Sequence, residues 1–179
     1  SVNKSPYFFF SGSYGADLYS EVERYSIVAT AIARQYSFDV IHCHDWLTYK
    51  AGIEAKKVCN KPLLIHVHAT EYDRSGEGKI NTLIYDIEKQ GMDAADKIIC
   101  VSNLTKEIIV SRYNQPMDKI VVIHNGVDKT HSPMVNLKRK TKKIVTFLGR
   151  ITYQKGPEYF VDAVYKIMRK DKDVHFVMV

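Results

Sequence analysis

No apolar run in this chain approaches the ~20 residues a helix needs to cross a bilayer. The opening SVNKSPYFFF also lacks the basic region and long apolar stretch of a secretory signal. A cytoplasmic setting is the expectation. Cysteine is scarce: Cys43, Cys59 and Cys100 are an odd number with no C-x-x-C spacing. All three are read as reduced thiols, two of them inside predicted strands as small apolar residues. No G-x-G-x-x-G fingerprint for a dinucleotide cofactor occurs, and no cofactor is expected. The GRITYQKG stretch (149–156) is not a Walker A loop, because its lysine precedes Gly156 and no Ser or Thr follows to hold magnesium.

What is present is ordinary globular composition. With 179 residues, 45% hydrophobic and 26% charged, the chain suffices for one large domain or two small ones. The net charge of +6 is concentrated in part in KRKTKK (138–143). Such a run can attract nucleic acid or anionic lipid. No aromatic residues interleave with it to stack on bases, so it reads as a solvated linker; nucleic acid is not an expected partner, and contact with a membrane surface stays open.

Periodicity organises the rest. Leu18, Val22, Tyr25, Ala29 and Ile32 recur at helical spacing and predict a helix over 16–36. FDVIHCH, PLLIHVHA, KIICVS and KIVVIHNG read as strands; between them lie helical patterns and a polar loop containing DRSGEG. Residues 128–142 break this rhythm with polar and basic residues and a proline. The alternation resumes with KKIVTFLG, a helix over 157–170 and VHFVMV. Strands alternating with helices imply α/β architecture with parallel sheets and right-handed crossovers. The expected domains are 1–127, a linker over 128–142, and a first βαβ unit over 143–179. Both sheets are expected to be incomplete parts of doubly wound sheets in a longer protein.

Two constellations carry chemistry. Arg150 and Lys155 flank ITYQ where a predicted strand meets a helix opened by Pro157. The backbone N–H groups and macrodipole of a helix N-terminus favour anions, and two cations beside them predict a phosphate site. Gly149 and Gly156 would let backbone approach a phosphate closely; the alternative is a basic loop screening helix ends. His42 with His44, and His66 with His68, form two H-x-H pairs at strand ends, and a period of two puts each pair on one face. Four imidazoles can bind zinc or copper, but H-x-H in a strand is not specific by itself, and no metal is expected.

HCHDWLTYKAGIEAK, HVHATEYDRSGE, AADKIICVS, KIVVIHNGVD and FLGRITYQKGPEYFVDA, taken together and in this order, resemble the retaining glycosyltransferases of the two-Rossmann-domain (GT-B) class. The group is family 4, related to glycogen and starch synthases. The resemblance implies that Arg150 and Lys155 grip the diphosphate of a nucleotide-sugar donor, with Gly149 and Gly156 in the same loop. It places His68 close to the anomeric carbon and Asp45 in the cleft near the sugars. For His68 the alternative is a core histidine. For Asp45 it is an N-cap of the helix beginning at Trp46, a residue read as packing. Glu71 and Asp73 are possible acceptor contacts or a solvated turn. Ser102 is an N-cap whose strand-end position also faces the cleft. Asn125-Gly126 reads as a hinge entrance.

The family's E-x-x-x-x-x-x-E stretch would lie beyond Val179, and its early glycine-rich loop is missing, so the chain alone is expected to have little or no transfer activity. A nucleotide-sugar epimerase of the same class, and a non-catalytic module binding anionic lipid or nucleic acid, are the alternatives.

Overall fold

The structure is a computed structural model that describes residues 17–76, 78–128 and 143–179. It divides into two compact units. The first runs to Tyr72 and resumes over Ile80–Asn125; the second takes Asp73–Lys79 and Gly126–Val179. The expected linker lies outside the described residues apart from Asp128, as does all of KRKTKK but Lys143.

The first unit alternates helix and strand. It contains α1 (Leu18–Gln35), β1 (Ile41–His44), α2 (Trp46–Cys59), β2 (Leu63–Val67), the first two residues of a short α3 (Glu71–Ser75), α4 (Thr82–Ala94), β3 (Lys97–Cys100), α5 (Asn103–Tyr113) and β4 (Ile120–Val122). Helix starts are set by polar side chains. Asp17 accepts from the backbone N–H of Tyr19, Asn81 from those of Leu83 and Ile84, and Ser102 from that of Thr105. Strands lie in the order β1-β2-β3-β4 and every pairing is parallel. The strands are shorter than their apolar runs, and the expected polar loop after β2 starts with α3.

Strand alternation sorts the side chains. Cys43, Leu63, Ile65, Val67, Ile98, Cys100 and Ile120 are buried in one core cluster with Tyr49, Met92, Ile109 and Tyr113 from the helices. Each fully buried Leu or Ile stabilises by about 1.5–3 kcal/mol. Helix α2 packs closely on this face: a Cβ at Gly52 would lie 2.3 Å from Cys43 Sγ and 2.9 Å from Leu63 Cδ1. Helix α4 meets α2 in the same way, the Tyr49 ring covering Gly91. All three cysteines are free thiols, and burial pushes those of Cys43 and Cys100 up.

The buried stripe of α1 differs from the predicted one. Val22, Ser26, Val28 and Ala33 are buried, whereas Tyr25 and Ile32 are exposed. Small side chains let α1 lie against α2, and the Ser26 hydroxyl donates to the Glu23 carbonyl at 2.7 Å, which satisfies it inside the contact.

The second unit pairs β5 (Lys143–Phe147) with β6 (Val174–Met178) in parallel across α6 (Pro157–Met168). Phe160 of α6 packs on Phe147 and Phe176, with ring centroids 5.5 and 6.1 Å away. None of its described residues is buried; Ile144, Val145, Val177 and Met178 are all exposed.

Candidate functional site

The two H-x-H pairs meet at the carboxyl end of β1 and β2. Cys43 faces the helices, so His42 and His44 project from the opposite face, and register sets His44 beside His66. The rings form one group: centroids are 4.4 Å apart for His42 and His44, 4.9 Å for His44 and His66, and 4.3 Å for His66 and His68. His44 Nδ1 lies 2.9 Å from His68 Nε2 in a hydrogen bond. Burial, and then the neighbouring imidazoles, hold His66 down at about 4, and the same two causes lower His42. Both stay neutral at neutral pH. His68 is exposed at the strand end, so it is not a core histidine.

Asp45 occupies the N-cap position of α2 but does not cap it. Its Oδ1 accepts from the backbone N–H of His68 at 2.8 Å, and its own N–H donates to the His66 carbonyl at 3.0 Å. These bonds are made with φ +57° and ψ 169°, a region nearly confined to glycine, which costs a non-glycine residue on the order of 1–3 kcal/mol. Asp45 thus fixes the backbone at His68, and the N-cap expectation is corrected. Trp46 is buried, as a packing residue should be.

The segment after His68 is held by residues the sequence did not single out. Glu88, on α4, is 2% exposed; its Oε2 accepts from the Glu71 backbone N–H at 3.0 Å and from the Tyr113 hydroxyl. Burial, and then the Glu88 carboxylate, push the Tyr113 hydroxyl's pKa up. Glu71 itself is buried, and its Oε1 accepts from the Asn81 N–H at 2.9 Å, so the solvated turn expected there is replaced by an internal tie. Ser102 caps α5, its Oγ 2.9 Å from Thr105 Oγ1. His124, also unflagged, bonds to the Val101 carbonyl at 2.9 Å through Nδ1.

In the second unit the chain leaves β5 through Gly149 and Arg150, makes a 3-10 turn over Tyr153–Lys155, and enters α6 at Pro157. Gly156 is left-handed at φ +62°, and a Cβ there would come within 2.9 Å of the Tyr159 ring. A Cβ at Gly149 would lie 3.7 Å from Lys155 Cγ, so the lysine stem returns past the residue before Arg150. Both cationic side chains are exposed, and neither has an acidic partner among the described residues.

A sequence profile described as Glycosyltransferase Family 4 matches residues 14–131. The chain belongs to Glycosyltransferase Family 4. Among curated relatives, an uncharacterised glycosyltransferase of Methanocaldococcus jannaschii is 34% identical over 147 residues, which is 74% of this chain and 38% of that protein. A glycogen synthase of Mycobacterium tuberculosis is 27% identical over 140 residues, 76% of this chain and 34% of its own length. The chain therefore spans little more than a third of these relatives. A solved structure of HepE from Anabaena, in complex with UDP and glucose, superposes with TM-score 0.62 at 16% identity, covering 88% of this chain and 42% of that one. That likeness gives this family member the fold of a GT-B protein, built on two parallel α/β units.

Proposed function

We propose that the protein transfers a sugar, with retention, from a nucleoside-diphosphate donor to a hydroxyl acceptor. The observation that carries the reading is the β5 exit: two exposed cations without acidic partners among the described residues, one folded back past Gly149, beside the start of α6. The complex of HepE with UDP and glucose supports a uridine nucleotide sugar as donor, and the likeness to a glycogen synthase supports a glucan as acceptor.

In this mechanism the bond between the anomeric carbon and the diphosphate oxygen breaks on the face from which the acceptor oxygen arrives. The acceptor's proton passes to the departing phosphate oxygen as the new glycosidic bond forms. Arg150 and Lys155 stabilise negative charge that grows on the diphosphate, so they act more on the transition state than on the ground state. His68 lines the reaction centre, Asp45 orients sugar, and Glu71 and Ser102 belong to the surrounding shell. No metal takes part.

The test is an assay of the full-length protein with a panel of nucleotide sugars, because this chain spans little more than a third of its curated relatives. Formation of a glycoside, abolished by Arg150→Ala with Lys155→Ala, is the expected result. Turnover and donor affinity unchanged in that double variant would overturn the assignment, and a free epimerised nucleotide sugar without glycoside would replace transfer by epimerisation. The 179-residue chain alone should bind nucleoside diphosphates weakly and in a salt-sensitive way, or not at all.

A further inference from the structure

We propose that His42, His44 and His66 form a binding site for a borderline-soft divalent transition metal of the zinc class. One ring nitrogen from each of the three lies within 4.8 Å of the others. Two adjacent parallel strands supply them: His42 and His44 share a face of β1, and register places His66 of β2 beside His44. These are the richest elements of the sheet on which to hold three donors, because hydrogen-bonded strands fix the spacing of the Cα atoms.

Two further observations point to a ligand. Both ring nitrogens of His66 are buried and have no hydrogen-bond partner, which is rare for a polar group with one donor and one acceptor. Coordination would satisfy the acceptor nitrogen. His44 meanwhile bonds to His68 through Nδ1, at 2.9 Å. That is the outer hydrogen bond that fixes the tautomer and ring orientation of a metal-bound histidine. His68 is then the outer partner, not a ligand.

The donor set selects the metal. Among the described residues the donor group consists of three imidazoles, with no carboxylate or thiolate in it: one oxygen of the nearby Asp45 is held by the His68 backbone, and Cys43 points to the opposite face. Imidazole donors suit zinc, nickel and copper, whereas magnesium and calcium require oxygen. Three protein ligands leave a fourth tetrahedral position for water or an incoming group. The site uses neither cation of the sugar-transfer reading, since both belong to the other unit, but its outer partner His68 is the histidine that reading sets at the reaction centre.

The experiment titrates the 179-residue chain with zinc in a calorimeter, without nucleotide, and repeats the titration with magnesium. One zinc per chain and no magnesium are expected. His42→Ala and His66→Ala should each weaken zinc at least about tenfold, and His68→Ala, which removes only the outer hydrogen bond, should cost roughly 10- to 100-fold while keeping the stoichiometry. His124→Ala and His175→Ala should leave affinity unchanged. Cobalt(II) provides a second readout: a visible ligand-field band of four-coordinate type should appear in the wild-type chain and vanish in His42→Ala. His42 is exposed, so its removal should leave the far-ultraviolet circular dichroism of the fold intact. Absence of stoichiometric zinc binding, or binding that survives His42→Ala and His66→Ala but is lost in His124→Ala, would overturn the site.

Discussion

Asp45 Oδ1 and the backbone N–H of His68 are 2.8 Å apart, joining the end of β1 to the end of β2 by a bond that neither strand ladder supplies. The bond is made while Asp45 holds a left-handed φ, so it offsets backbone strain at the same residue. Asp45→Ala keeps the strain and loses the acceptor, and should destabilise the chain by about 1.5–3 kcal/mol. Asp45→Asn keeps an acceptor oxygen and the same backbone strain, so it should cost less than half as much. Urea unfolding of the two variants checks this, and equal losses would mean that the hydrogen bond contributes nothing.

Glu88 and Tyr113 should couple. The carboxylate is buried and shared between the Tyr113 hydroxyl and the Glu71 backbone N–H. Tyr113→Phe leaves that carboxylate one donor short, at a cost of about 1–3 kcal/mol. Glu88→Gln should cost a similar amount. A double-mutant cycle should give a coupling energy above about 0.5 kcal/mol, whereas additive losses would show that the two side chains act independently.

The helices were legible because their ends are local events. Asp17, Asn81 and Ser102 cap helices within two or three residues of themselves, and Pro157 opens α6 at the predicted position. The parallel order followed from strand and helix alternation, and the shared face of the H-x-H pairs from the period of two. What failed was decided at a distance. For Asp45 the cap alternative fails, because a position beside Trp46 is a local cue whereas its actual partner is 23 residues on. Glu71 resembled a solvated acid in a polar loop, yet Asn81 and Glu88 close around it from later in the chain. The stripe of α1 differs because Ser26 and Ala33, poor markers of hydrophobicity, are buried while Tyr25 and Ile32 are exposed. No sequence period announces that all four imidazoles group together, since that depends on the β1 and β2 register.

Acid should loosen the first unit through Asp96. Its Oδ2 accepts from Lys56 Nζ at 2.8 Å and from the Leu63 backbone N–H at 2.7 Å. The Lys56 bond first, and then the Leu63 bond, hold its carboxyl below the ordinary carboxylate range. In the unfolded chain the group regains its ordinary value, so between the two values the unfolded state binds more protons. The contribution is present above the ordinary carboxylate pKa and is lost as pH falls through the depressed folded value. Denaturation midpoints measured from neutral pH downward should therefore fall less steeply at acid pH in Asp96→Asn than in the wild type. Parallel profiles would mean that Asp96 carries none of the acid sensitivity.

Arg150 and Lys155 should not be interchangeable. Arginine presents a planar fork that can engage two phosphate oxygens, while lysine presents a single rotatable ammonium on a flexible stem. The Lys155 stem lies against Gly149, where a bulkier, planar head has less freedom to turn. On the proposed reading, each charge-assisted hydrogen bond to a diphosphate contributes about 1.5–3 kcal/mol, roughly one to two powers of ten in affinity. Arg150→Ala and Lys155→Ala should each weaken UDP binding by that factor, and Arg150→Lys and Lys155→Arg should recover only part of it. Gly156→Ala tests the geometry instead of the charge. It keeps both cations, but a Cβ in the left-handed region, crowded by the Tyr159 ring, must shift the turn that carries Lys155. Its UDP affinity should fall toward that of Lys155→Ala without any change in net charge. If isothermal titration finds Gly156→Ala binding like the wild type while the two alanine variants lose affinity, the cations act by long-range attraction and the turn does not position them.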